Sequence, residues 1–261
     1  MVSVGKVEEY ILRRIGDEGA IHMALIDPEK VTPELAALLS QESEASGSSA
    51  IMVGGTTLAS TELLNDIVKA IKRSVKIPVI LFPNNVTGIS EYADAIWFMS
   101  LLNSADPYFI FGAQALAAPL IKKMGLEAIP LGYIIVGEGG SAGVIGKACP
   151  IPYNKPELAV AHALAAQFLG MRFVYLEAGS GASKPVPAEM IRMTRETVDV
   201  KIIVGGGIKT REQAERAAKA GADIVVTGTI LESGQREGVR AKLNEIIEGI
   251  RKGAKSRSRG F

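Results

Sequence analysis

The 261-residue chain is expected to fold as one α/β domain spanning 1–261. The fold class is a modified (β/α)8 barrel of the triosephosphate-isomerase type, with the helix between the third and fourth strands missing or very short. Three observations lead there. Short β-branched apolar runs recur eight times with helical segments between them, and this alternation is that of βα units. The runs are apolar throughout, as parallel strands covered on both faces should be. One interval, residues 83–94, is too short and too rich in turn formers to hold a covering helix and two loops.

Each element follows from its own pattern. Residues 1–18 place Val4, Val7, Ile11, Leu12 and Ile15 at helical spacing between charges, which predicts a docking helix for the barrel floor and is unlike a secretory signal. The strand runs are 21–27, 50–55, 77–82, 95–101, 128–136, 173–177, 201–205 and 224–227. Helical patterns cover 33–45, with Thr32 placed to cap and Pro33 at the first helical position, then 62–74, 107–124, 157–169, 188–198, 211–220 and 236–251. The defective interval leaves either an apolar groove on the barrel's flank or a single helical turn shielding it. Residues 252–261 are basic, lack apolar periodicity and read as a flexible tail.

Composition removes several function classes. A formal net charge of +1 argues against a nucleic-acid surface, which needs a basic stripe. No apolar stretch is long enough to span a membrane, which leaves transient contact with a membrane surface, to collect a lipid, as the membrane role open to the chain. Cys149 stands alone, so neither an internal disulfide nor a cysteine-based zinc cluster can form, and a reducing, cytoplasmic setting suits the chain. His22 leads a strand and His162 lies in an amphipathic helix, positions that favour packing or solvent roles. Trp97 and Phe98 lie beside the defective interval, where they could wall an apolar ligand or pack strand against helix.

The chemistry gathers at strand ends. Val204-Gly205-Gly206-Gly207-Ile208 and Val226-Thr227-Gly228-Thr229-Ile230 close the last two strand runs, and glycines there let backbone N–H groups approach an anion. Barrels of this class commonly bind phosphate at these two loops, so the substrate is expected to be phosphorylated. Period-two reading of the sixth strand turns Phe173, Tyr175, Glu177 and Gly179 to one face and Val174, Leu176 and Ala178 to the other. Glu177 is the best general-base candidate, its alternative role being a structural acceptor for nearby N–H groups. Tyr175 suits a phosphate or a substrate hydroxyl, and Ser180-Gly181-Ala182 could add further amides. Asp27 and Thr56, at the ends of the first two strands, are compatible with Mg²⁺, though Asp27-Pro28 is also ordinary turn chemistry. A phosphosugar enzyme or a binding-only barrel would keep the glycines; no strand here ends in a Schiff-base lysine.

Taken together, Asp27-Pro28-Glu29-Lys30, Gly54-Gly55-Thr56, Phe98-Met99-Ser100-Leu101-Leu102-Asn103-Ser104, Tyr175-Leu176-Glu177-Ala178-Gly179-Ser180-Gly181-Ala182, Gly205-Gly206-Gly207-Ile208 and Gly228-Thr229 resemble the geranylgeranylglyceryl phosphate synthase family, in its larger archaeal branch. The resemblance spans nearly the whole barrel and includes the absent helix. It implies transfer of a geranylgeranyl group from its diphosphate to the 3-hydroxyl of sn-glycerol 1-phosphate, with release of diphosphate. By the same resemblance Asp27 and Thr56 hold Mg²⁺. Tyr175, Leu176, Glu177, Ala178, Gly179, Ser180, Gly181, Gly206, Gly207, Gly228 and Thr229 bind glycerol phosphate, and Glu177 orients or deprotonates the attacking hydroxyl. Trp97, Phe98, Tyr133 and the residues around Tyr92 are candidates to line the groove. The family also implies a homo-oligomer, dimer or hexamer, and Tyr108, Phe109, Ile110 and Phe111, consecutive within 106–124, make that helix the candidate to bury a face against a neighbour. Its last phosphate motif often reads Gly-Asn, whereas Gly228 is followed here by Thr229, which keeps the backbone donors and changes the side chain.

Overall fold

Eight parallel strands, each paired with the next and the last with the first, close a barrel in the computed structural model, which describes residues 4–57, 60–232 and 236–257. The chain runs α1 (Lys6–Glu18), β1 (Ile21–Ile26), α2 (Pro33–Ser46), β2 (Ala50–Val53), α3 (Thr61–Ser74), β3 (Val79–Leu81) and β4 (Ala95–Leu101). A π-helical turn (Tyr108–Gly112) then leads into α4 (Ala113–Met124), followed by β5 (Glu127–Ile135), α5 (Gly140–Ile145), α6 (Pro156–Phe168) and β6 (Phe173–Glu177). The last elements are α7 (Ala188–Thr197), β7 (Lys201–Gly205), α8 (Arg211–Ala220), β8 (Ile224–Thr227), α9 (Thr229–Glu232) and α10 (Arg236–Arg257). No helix lies between β3 and β4, and residues 82–94 form turns.

Side-chain alternation sorts each strand between two cores. Met23, Met52, Ile80, Trp97, Phe173, Tyr175 and Val226 fill the barrel, while neighbours such as Ala24, Ile51, Val174 and Val225 pack outward against the helices. The floor is closed by α1, whose Ile11 and Ile15 join the inner core. Its N-terminus is held by a carboxylate distant in sequence: Val7 and Glu8 donate their backbone N–H groups to Glu127 at 2.9 and 2.8 Å. Glu8, itself buried, pairs with Arg172. Local capping is as expected at α2, where Leu35 N–H donates to Thr32 Oγ1 at 3.3 Å and Pro33 takes the first position.

Two expectations are corrected. The final helix does not stop at residue 251 to release a tail from 252, because α10 continues to Arg257. Ala254 is buried, Lys252 pairs with Glu215, and Arg257 donates to Gly19 O at 2.6 Å and faces Asp223, so packing and ion pairs hold this basic turn on the barrel. The interval between β5 and α6, to which the sequence patterns assign no helix, contains α5. No described helix is long and apolar enough to cross a membrane.

Candidate active site

A cavity of about 390 Å³ opens at the C-terminal ends of the strands and continues over the rim onto the flank left bare beside β3 and β4. Its polar part is built around Glu177, the last residue of β6, which lies opposite Ile135 of β5 and Gly205 of β7. As alternation requires, Tyr175 and Glu177 face the interior. Glu177 is 6% exposed, and its Oε1 accepts a hydrogen bond from Gly179 N–H at 2.6 Å. Burial raises its carboxyl above the ordinary glutamate value, opposed by the Gly179 N–H and the Tyr175 hydroxyl, which favour the charged form. The chain beside it admits no side chain: Gly206 has φ +80°, and a Cβ there would lie 2.5 Å from Glu177 Oε1. Tyr175, Tyr133 and Phe82 meet with ring centroids 5.3 to 5.5 Å apart and form the aromatic wall below the carboxylate. Burial holds both tyrosine hydroxyls well above their ordinary pKa, hence protonated.

Ser180, Gly206, Gly207, Gly228 and Thr229 line the cavity beside Glu177, with the short α9 starting at Thr229. This is the arrangement of strand-seven and strand-eight loops that suits a phosphate. The remaining residues expected to bind glycerol phosphate are placed elsewhere. Leu176 and Ala178 fall on the outward face of β6 and its extension, fully buried in the outer core. The Ala178 N–H donates to Gly205 O and its carbonyl accepts from Gly139 N–H. Gly179 and Gly181 lie outside the cavity wall, and Gly179 spends its N–H on Glu177.

Across the mouth, Asp27 and Thr56 line the same cavity at the ends of β1 and β2. Asp27 Oδ1 accepts from Glu29 N–H at 3.1 Å, and Lys30 Nζ stands 3.7 Å from Oδ2. A Cβ at Gly55 would lie 2.3 Å from Asp27 Oδ1, so glycine leaves room for the carboxylate. Asn84 donates to Thr56 O at 3.1 Å while its Oδ1 is buried with no hydrogen-bond partner. These are hard oxygen donors. No three His, Cys, Asp or Glu side chains cluster among the described residues, so a cation here would take most of its shell from water and substrate oxygens, which fits Mg²⁺.

The cavity's second arm is apolar. Val86 and Ile89 of the turn segment, Ile96 and Phe98 on the outward face of β4, and Ala117 and Ile121 of α4 form the groove expected from the missing helix. Trp97 points instead into the barrel, edge-on to Phe173, and meets the cavity from inside. Tyr92 is outside it, lying under Lys69 Nζ at 4.1 Å. Pattern reading missed Phe82, although it occupies the strand-end position equivalent to other site residues, and missed Ser141 and Ala142 of α5, which wall the junction of the two arms.

A sequence profile of the PcrB family matches residues 13–250. A geranylgeranylglyceryl phosphate synthase of Thermofilum pendens is 52% identical over 255 residues, covering 98% of this chain and 99% of that protein. One from Thermococcus kodakarensis is 55% identical over 252 residues, 96% of this chain and 100% of that protein. Among solved structures, the (S)-3-O-geranylgeranylglyceryl phosphate synthase of Thermoplasma acidophilum, in complex with its substrate sn-glycerol-1-phosphate, superposes with a TM-score of 0.90 at 40% identity, covering 95% of this chain and 99% of that one.

Proposed function

This chain belongs to the PcrB family, and on that footing we propose that it is a geranylgeranylglyceryl phosphate synthase, a prenyltransferase of archaeal ether lipid synthesis. It transfers the geranylgeranyl group from its diphosphate to the 3-hydroxyl of sn-glycerol 1-phosphate and releases diphosphate. The observation that carries the reading is the two-armed cavity: a polar mouth with a buried carboxylate and glycine-rich loops, continuous with an apolar groove outside the barrel wall. A phosphosugar would need the first arm alone. A diterpenyl chain needs the second, where each buried methylene contributes about 0.8 kcal/mol before the freedom lost on binding is subtracted.

The residues divide the work. The backbone around Gly206, Gly207, Gly228 and Thr229, with Ser180, holds the glycerol phosphate headgroup and turns its 3-hydroxyl toward Glu177. Glu177 takes the hydroxyl proton as the oxygen bonds to the allylic C1; the bond from C1 to the diphosphate oxygen breaks and its electron pair leaves with diphosphate. Burial makes this carboxylate a better proton acceptor than one in water. The aromatic wall of Phe82, Tyr133 and Tyr175 offers ring electrons to positive charge developing at the allylic carbon. Asp27 and Thr56 would hold Mg²⁺, which when bound supplies positive charge to the diphosphate oxygens. We further assign the chain to the cytoplasm and to a dimeric or hexameric assembly.

The test follows radiolabelled sn-glycerol 1-phosphate into organic-extractable product with prenyl diphosphates of several lengths, with and without Mg²⁺. Metal-dependent ether formation, strongest with the C20 donor, is expected. Folded protein that yields no product with any donor would overturn the assignment.

A further inference from the structure

We infer that Lys30 binds the diphosphate of the donor, an inference that rests on the prenyltransferase reading. Among the described residues the cavity wall carries four charged side chains: Asp27, Lys30, Glu177 and Lys209. Lys209 follows Gly207 and Ile208, so it belongs to the end of the cavity that holds glycerol phosphate. Lys30 stands on the opposite rim, in the turn after β1. That rim gathers Thr56, Thr57, Asn84 and Asn85, and the apolar groove begins beside it at Val86 and Ile89. A donor whose chain lies in the groove therefore presents its head to this rim.

Charge then identifies what the head requires. A prenyl diphosphate carries about three negative charges near neutral pH, by extension from the roughly two of a phosphate monoester. Asp27 adds another on the same rim. One divalent cation leaves about half of this total unbalanced, and Lys30 is the cationic side chain lining the rim among the described residues. Its geometry suits an exchange of partners. Nζ lies 3.7 Å from Asp27 Oδ2, longer than a hydrogen bond, and the side chain is 47% exposed on a flexible stem. This long, half-exposed contact with Asp27 contributes little by itself, and a diphosphate offers Nζ a more concentrated charge on the same rim.

Calorimetric titration of inorganic pyrophosphate in the presence of Mg²⁺, and separately of sn-glycerol 1-phosphate, tests this on the wild type, Lys30→Gln and Lys30→Arg. Lys30→Gln is expected to weaken pyrophosphate binding about tenfold or more, as loss of one charge-assisted contact should. Lys30→Arg should recover most of the loss, and glycerol phosphate affinity should stay within about twofold throughout. The donor kcat/KM of Lys30→Gln should fall in parallel. Pyrophosphate bound equally well by Lys30→Gln, or glycerol phosphate lost to the same extent, overturns the role of Lys30 while leaving the prenyltransferase reading in place. A wild type that neither binds pyrophosphate nor transfers a prenyl group overturns both.

Discussion

Glu177 shows how far a single residue can be read. Its inward direction was legible because strand alternation is strict, and its candidacy as a base arises because a buried carboxylate needs a use or a partner. The same alternation turns Leu176 and Ala178 away from the cavity, a distinction that a continuous binding motif blurs. Because burial raises the Glu177 pKa, the acid limb of the kcat/KM profile is expected at higher pH than an ordinary glutamate gives. The sign for stability is the reverse of the usual carboxylate case. The fold holds this proton more tightly than the unfolded chain does, so stability is lost as pH rises through the raised value. Glu177→Gln should therefore lower kcat by about 10²- to 10⁴-fold while its melting temperature stays level or rises, as calorimetry beside steady-state assays would measure. His22 runs the other way. Fully buried between Ser48 Oγ and Thr227 Oγ1, at 2.8 and 2.9 Å, its imidazole is pushed down from 6.5 to about 3. The unfolded chain takes up this proton below 6.5 and the fold refuses it until about 3, so stability present above that window falls by about 1.4 kcal/mol per pH unit within it. Urea midpoints of wild type and His22→Gln between pH 4 and 7 should diverge in slope.

At the scale of elements, the eight strands and most helices were legible because each carries its own period and its own caps. Elements held by distant partners were not. The six-residue α5 has almost no apolar periodicity and is set by glycines and by contact with the barrel, and the last turns of α10 are fixed by Asp223, Gly19 and Glu215. The groove was legible as an absence, since too few residues separate β3 from β4. Its wall across α4 required the structure. Ala117→Phe should fill the groove, lowering kcat/KM for the C20 donor by about tenfold relative to a C10 donor and leaving glycerol phosphate affinity unchanged, which a donor-length series would read. The clamp on α1 gives a second prediction. Glu127→Ala leaves the N–H groups of Val7 and Glu8 without their acceptor, and is expected to destabilise the fold by about 1–3 kcal/mol, with hydrogen exchange rising across α1.

Over the whole molecule, closure of the barrel explains the fold, but one side is unlike the rest. Helix α6, expected to be amphipathic, is instead largely apolar with its few polar residues, Glu157, His162 and Gln167, not gathered on one face, and Phe168 and Leu169 at its end are 77% and 73% exposed. On α4 and the turn before it, Leu116, Leu120 and Phe111 are also exposed. Helices of this kind belong in a protein interior, and the exposed area of these side chains together is on the order of the ~800 Å² that each partner buries in a standard interface. Light scattering coupled to gel filtration is expected to give a mass at least twice that of the chain, and Phe168→Asp with Leu116→Asp should reduce it. A single monomeric peak from the wild type would refute the assembly.

The position of the groove outside the strands has one more consequence. The circumference of an eight-stranded barrel is fixed by strand number and stagger, so a pocket inside it cannot lengthen without rebuilding the sheet. Here the groove proposed for the hydrocarbon is lined beyond that ring, by one turn segment and one helix. Reach becomes a property of a few replaceable surface residues, and evolution can retune the lipid that is made without touching the chemistry at its head.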